Sequence, residues 1–126
     1  MVASKKSAGK KIKFREKEIE IESSRLQRGG VVLAVLSTPV EHPKIPKWEM
    51  QLSSAAVCMN LLSCAQSKGY AAQWITEWYA YNKVVIEKLG GDFNRDKISG
   101  FIYIGQQSKP PKERRRPNPN DIISYY

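Results

Sequence analysis

KWEMQLSSAAVCMNLLSCAQSKGYAAQWITEWYAY, residues 47–81, holds a long apolar pattern, a glycine stop and a short run that ends among aromatic side chains. Trp48, Leu52, Ala55, Met59, Leu62 and Ala65 recur at three- and four-residue steps, the period of a helix face. Ala56, Val57, Cys58 and Leu61 make most of the remaining circumference apolar, so the pattern predicts a helix over about 47–68 that is buried nearly all round. Small residues at 53–56 (Ser, Ser, Ala, Ala) would let a second helix approach closely. The rest of the chain offers few helices to do so, which implies a partner chain or a further segment. Lys68-Gly69 supplies a cationic last turn and a helix-ending glycine, and YAAQWI, residues 70–75, then reads as a buried strand.

Outward from this stretch, GGVVLAVLS, residues 29–37, is a continuous β-branched run bounded by glycines and Thr38-Pro39, the pattern of a central strand covered on both faces. A helix joining two strands makes a crossover possible. The charged segment 15–28 is expected to be helical, although EIEIE alternates as a strand would. EHPKIPKW, residues 41–48, has two prolines that forbid regular structure, with Pro46 suited to the first turn of the long helix. NKVVIEKLGG, residues 82–91, predicts a short helix with Val84, Val85 and Leu89 inward, and KISGFIYIG, residues 97–105, predicts a third strand built on Ile98, Phe101, Ile102 and Ile104. The class is α+β: a small mixed sheet beside one dominant helix. Three regions follow, namely a basic disordered tail (1–14), a folded domain (15–105) and an extended proline-rich arm (106–126).

With 126 residues, 41% hydrophobic and 26% charged, the chain is one domain's worth of ordinary globular composition. No apolar run is long enough to span a bilayer, and the lysine-rich N-terminus is not followed by a signal peptide's apolar core. A cytoplasmic, reducing setting is therefore expected. Cys58 and Cys64 lie six apart on one helix and face different directions, as small buried apolar groups rather than a disulfide. His42 stands between a turn and two prolines, where a surface position is expected, and no cluster has metal-ligand spacing. The net charge of +9 divides as +5 over residues 1–29, +1 over 30–105 and +3 over 106–126. A nearly neutral folded middle between basic tails argues against a nucleic-acid groove reader. Neither nucleotide-loop pattern nor G-x-S-x-G occurs, and Glu49 is explained by the N-terminal helix dipole. A chain without catalytic groups of its own suits chemistry supplied by a cofactor, for which protein provides binding and orientation. The aromatic cluster Trp74, Trp78, Tyr79 and Tyr81 is where such a flat molecule would be sought.

Three motifs in order carry a resemblance: the P-x-W-E helix start (Pro46 to Glu49), the A-x-x-x-G-Y-x-x-x-W connection (Ala65 to Trp74), and the G-F-I-Y-I-G strand (Gly100 to Gly105) before a proline-rich tail. From about Arg15 to Tyr126 the chain closely resembles the C-terminal half of the FMN-dependent nitroreductase family, particularly its small members. The resemblance implies a nitroreductase-like fold and a homodimer binding FMN at the subunit interface. It further implies reduction by NAD(P)H and reoxidation by nitroaromatic or quinone-like small-molecule acceptors. Carried over by position, Trp74, Ile75 and Thr76 present backbone to the flavin ring, with the neighbouring aromatics walling it. Cys64, Ala65, Gln66, Ser67, Lys68 and Gly69 resemble the stretch that relatives use for the pyridine nucleotide. No catalytic residue of the protein's own and no metal are implied.

Two departures accompany the likeness. Family members begin with an Arg-Arg-Ser segment that grips the FMN phosphate, where this sequence has MVASKKSAGKKIKF, so a domain truncated at the N-terminus is expected. Relatives also commonly place a glycine where this chain has Glu77, and a carboxylate beside a flavin disfavours its anionic reduced form.

Overall fold

The computed structural model describes residues 16–126. A first helix, α1, covers residues 16–23 and runs into a 3-10 turn at Arg25–Gln27. Strand β1 (Val31–Ser37) leads through the proline loop to helix α2 (Lys47–Ser67), and strand β2 (Ala71–Ile75) follows. A 3-10 turn at Trp78–Tyr81, helix α3 (Lys83–Lys88) and strand β3 (Lys97–Gly105) complete the folded part. Beyond it residues 106–126 form an exposed arm, extended but for a 3-10 turn at Pro119–Asp121. The expected N-terminal tail, residues 1–14, lies outside the described residues.

The strands order as β1-β3-β2, each neighbouring pair antiparallel. The expected mixed sheet is thus antiparallel at every contact, because β1 and β2 run parallel to each other but are separated by β3. The β1-α2-β2 crossover straddles the last strand of the chain. A bulge at Ser99, where Val35 pairs with Gly100 and Leu36 with Ile98, shifts the register near the start of β3.

Helix α2 packs on one face of the sheet. The other face carries Val32, Ala34, Ile75, Phe101 and Tyr103, closed over by Tyr79 and Ala80 of the aromatic turn and by Ile86 of α3. Ile102, fully buried, projects on the α2 side because side chains alternate along a strand. The tight ends of the helices follow from local chemistry. Gly69 takes φ +80°, and Tyr70 N–H returns to the Ala65 carbonyl at 3.0 Å, closing α2. The Asn82 side chain caps α3 by accepting from Val84 N–H at 2.9 Å and Val85 N–H at 3.4 Å, and Gly90 at φ +86° follows its end.

Three expectations of burial are corrected. The central strand is β3, not β1: Val31 and Leu33 of β1 are exposed, and β2 is likewise an edge, with Gln73 and Trp74 exposed. In α3 the inward residues are Ile86 and Val85, while Val84 and Leu89 face out, because the helix is turned so that Ile86 joins the buried cluster of Tyr79, Ala80 and Phe101. The helix α2 buries only one side, through Cys58 and Ala65 with Ser54, Ala55, Leu61 and Leu62 partly covered. Trp48, Leu52, Ala56 and Met59 form an exposed stripe along the opposite side. Cys58 is buried as expected, whereas Cys64, expected to be buried too, is exposed because it falls on the solvent side of α2; neither is in a disulfide.

Candidate functional site

The end of the sheet where β2 stops brings together most of what the sequence singled out. Pairing closes at Ile75–Phe101, and the backbone of Thr76 and Glu77 leaves the sheet beyond it. Glu77 sits at φ 59° and ψ 177°, the one non-glycine residue with positive φ among those described. That region is open essentially to glycine, and a side chain held there costs on the order of 1–3 kcal/mol. The backbone at position 77 therefore has a glycine's conformation although the sequence supplies a glutamate.

Interactions of its side chain and carbonyl accompany that conformation. Arg25 Nη1 meets Glu77 Oε1 at 2.9 Å, and Arg25 Nη2 pairs with Glu22. Glu22 in turn accepts from Trp78 Nε1 at 2.8 Å. The Trp78 hydrogen bond first, and the Arg25 guanidinium second, hold the Glu22 carboxyl below its ordinary range, while Glu22 raises Arg25. The Glu77 carbonyl accepts from Ala80 N–H at 3.3 Å, starting the aromatic turn. Glu77 and Trp78 are thereby tied to α1 and its following turn, a contact between parts 56 residues apart in the case of the Trp78–Glu22 bond.

The aromatic residues divide in a way the sequence did not indicate. Trp74 does not wall an open site; its indole lies over Gly100, where an added Cβ would fall 2.0 Å from Nε1, and donates to the Ser99 carbonyl at 2.9 Å. Tyr79 is buried edge-on against Phe101, with ring centroids 4.8 Å apart, and its hydroxyl meets that of Tyr103 at 3.1 Å. Burial first and the Tyr103 hydroxyl second push the Tyr79 phenol up, so it remains neutral. Trp78 and Tyr81 alone of the four are well exposed, at 57% and 70%. Ile75 belongs to the core and Thr76 is half-buried. A flat ligand at this strand end would thus meet backbone at Thr76–Glu77 and the ring of Trp78 rather than Trp74.

Beside this end, the first half of α2 and the end of β1 border a groove of about 590 Å³ lined by Ser37, Thr38, Ile45, Glu49, Met50 and Ser53 among others. Ser54, also on its wall, shares a 2.5 Å hydroxyl contact with Ser99, which links the groove to the strand bearing the Trp74 bond. Ser37 Oγ is buried there without a partner among the described residues. Spacing could not have found this groove, because its walls come from separate parts of the chain.

The second candidate stretch lies elsewhere. Cys64–Ser67 form the last turn of α2, Lys68 its C-cap and Gly69 the turn into β2, at the opposite end of that strand from Thr76. Five residues of strand separate the two stretches by roughly 15 Å. The carbonyl end of a helix carries partial negative charge and disfavours phosphate, with Lys68 the local offset. His42 is exposed; its Nδ1 accepts from Lys44 and Ile45 N–H at 3.2 and 3.0 Å, a loop-forming role. Among the described residues no group of His, Cys, Asp and Glu has metal-binding arrangement, and no helix is long and apolar enough to cross a membrane.

As to the cofactor that the sequence resemblance implies, this strand end fits a flavin ring and not the phosphate. The ring's polar edge can be met by backbone that has left the ladder, but Arg25 is already committed to two carboxylates. The basic side chains Lys109, Lys112, Arg114, Arg115 and Arg116 stand on the exposed arm, Arg116 pairing with Glu113 at 2.9 Å.

No family model matches the chain. Among curated proteins it is similar to "Putative NAD(P)H nitroreductase YdjA" of Escherichia coli strain K12, at 28% identity over 100 residues, which is 79% of this chain and 54% of that protein. The protein of the same description from Escherichia coli O157:H7 matches to the same extent. The chain spans about half the length of these relatives. Among solved structures it matches the nitroreductase-like family protein from Bacillus cereus with a TM-score of 0.75 and 22% identity, covering 90% of this chain and 60% of that one. The nitroreductase resemblance and the α+β nitroreductase-like fold expected from the sequence are both borne out.

Proposed function

We propose that this chain, a nitroreductase relative in sequence and fold, is an FMN-dependent NAD(P)H oxidoreductase that acts on nitroaromatic or quinone-like acceptors. The observation that carries the reading is the strand end at Ile75, where the backbone turns out of the sheet through a residue at φ 59°. In that position Thr76 and Glu77 can offer main-chain groups to the polar edge of a flavin ring, which supplies the redox chemistry when bound. Donors aimed at the ring's pyrimidine side would stabilise negative charge there by charge-assisted hydrogen bonds. The chain's own part is orientation: it holds the ring edge with main chain, keeps the Tyr79 phenol neutral beneath the turn, and ties the Glu77 carboxylate to Arg25 rather than leaving it unpaired. NAD(P)H as the electron donor completes the proposal, with Cys64–Gly69 as the stretch that would receive it; a dinucleotide is long enough to bridge the length of β2.

The assembly proposed is a homodimer. The exposed stripe of Trp48, Leu52, Ala56 and Met59 on α2 supports it, since these residues lie on one side of a 21-residue helix and are left uncovered by the rest of the described chain.

Fluorescence-quenching titration with FMN and riboflavin tests the site. Charge-assisted contacts to a phosphate contribute about 1.5–3 kcal/mol each, so two of them would separate the ligands by a hundredfold or more. With backbone holding the ring and no phosphate grip at the strand end, the expected preference for FMN is less than about tenfold. Quenching by neither flavin would remove the assignment of the Thr76–Glu77 main chain to the ring. A strong FMN preference would place a phosphate grip on other cations of the chain, with the arm residues Arg114–Arg116 the first to substitute.

A further inference from the structure

We propose that Arg25 is a positioning residue whose ion pair with Glu77 does the work of a glycine, holding the flavin-facing backbone in its left-handed conformation and clasping α1 to the aromatic turn. The part of this inference that concerns the flavin rests on the function proposed above; the clasp itself does not.

Four observations meet in one place. Glu77 is at φ 59° and ψ 177°, a conformation that any Cβ-bearing residue leaves unless its surroundings hold it. Its carboxylate is on Arg25 at 2.9 Å, and Arg25 is three-quarters buried at its side chain, so the guanidinium is a fixed point rather than a mobile surface group. The same guanidinium takes Glu22, and Glu22 takes Trp78 Nε1 at 2.8 Å, so two successive residues at the start of the turn, Glu77 and Trp78, are fastened to α1 and the 3-10 turn after it. The carbonyl of Glu77 is fixed independently by Ala80 N–H. A single ion pair between partly exposed groups offsets little strain, whereas two carboxylates on one guanidinium, through Nη1 and Nη2, hold several groups for the ordering of one side chain, even though its buried Nε has no partner among the described residues.

The logic separates glutamate's charge from its Cβ. Glu77→Gln keeps the strain and removes the ion pair, whereas Glu77→Gly removes both. If the pair holds the strain, glutamine must be the worse substitution, although it is the more conservative one by shape. Arg25→Ala should resemble Glu77→Gln, and most of its effect should vanish once position 77 is glycine, where only the contact to Glu22 remains to be lost.

The test is a double-mutant cycle on the full chain, read first without ligand. Thermal unfolding should show Glu77→Gln and Arg25→Ala each lowering the midpoint by about 5 °C or more, Glu77→Gly by less than half as much, and Arg25→Ala in the glycine background by less than half of its effect alone. Amide hydrogen exchange at Glu77–Ala80 should speed up in the glutamine and Arg25 variants. Equal effects of glutamine and glycine, or additive effects of Arg25→Ala and Glu77→Gly, would overturn the clasp. The second reading is flavin affinity by fluorescence quenching: Arg25→Ala should weaken it at least threefold, and adding Glu77→Gly should restore it to within twofold of the parent. Flavin binding indifferent to Arg25 while the stability cycle holds would overturn the positioning role and leave the clasp standing. Absence of flavin binding in the parent would count against the proposed function, with the clasp decided by the ligand-free arm.

Discussion

At position 100 of β3 a glycine stands inside a strand, which costs backbone entropy and leaves no side chain to pack. Its neighbour explains it: Trp74 lies across the vacant position with Nε1 bonded to Ser99. Gly100→Ala would place a Cβ 2.0 Å from that nitrogen, so the indole must leave its seat or the strand must shift. Overpacking of this kind costs about 1–3 kcal/mol, and the expected result is a lower denaturant midpoint with changed tryptophan emission. An unchanged midpoint would mean the indole is free to move. The same contact gives the Trp74 side chain a packing role, where the sequence suggested part of a ligand wall. Nothing in the order of residues tells a stacking tryptophan from one that covers a glycine 26 positions later; the glycine itself is the only trace.

At the scale of elements, α3 shows how tertiary packing selects among the apolar faces a short helix offers. Val84, Val85 and Leu89 have plausible inward spacing, and Asn82 fixes where the first turn begins by accepting from two N–H groups, yet packing against Tyr79 and Phe101 puts Ile86 at 1% exposure and leaves Val84 outside. Asn82→Ala removes the acceptor for both donors and is expected to cost about 1 kcal/mol, read as a fall in the denaturation midpoint. Serine or aspartate at the position should restore most of it. A null effect of alanine would show that the cap contributes little beyond the packing of Ile86. The burial of Ile86 against Tyr79 and Phe101 matters beyond α3, because this cluster supports the underside of the turn that carries Glu77 and Trp78.

At the scale of the whole molecule, the exposed side of α2 is the feature that a single chain leaves unexplained. Trp48 at 65%, Leu52 at 49% and Met59 at 57% exposure lie in a row with Ala56, at the spacing by which helices pack against one another. Sedimentation at micromolar concentration is expected to show a dimer, and Ala56→Glu, which sets a charge in the middle of the stripe, is expected to shift it to monomer without lowering helix content. A well-behaved monomer of the parent chain would end the homodimer proposal. The basic, proline-interrupted arm, residues 106–126, is exposed along its whole length and has no core of its own.

The extent of α2, the short strand after Gly69 and the apolar strand at 97–105 were legible in the sequence, because period, glycine stops and β-branched runs are local signals carried within a few residues. So was the family likeness, which rests on motifs kept in order along the chain. Which strand is central was not legible: GGVVLAVLS and KISGFIYIG are both apolar, and only pairing with two neighbours made β3 the middle. The clasp was equally hidden, since Glu22, Arg25, Glu77 and Trp78 are ordinary polar and aromatic residues until the fold brings positions 56 apart into hydrogen-bond range. Local pattern states what an element can be, whereas strand order, the conformation of Glu77 and the partners of its charge depend on long-range contacts, and those exist only once the chain has closed on itself.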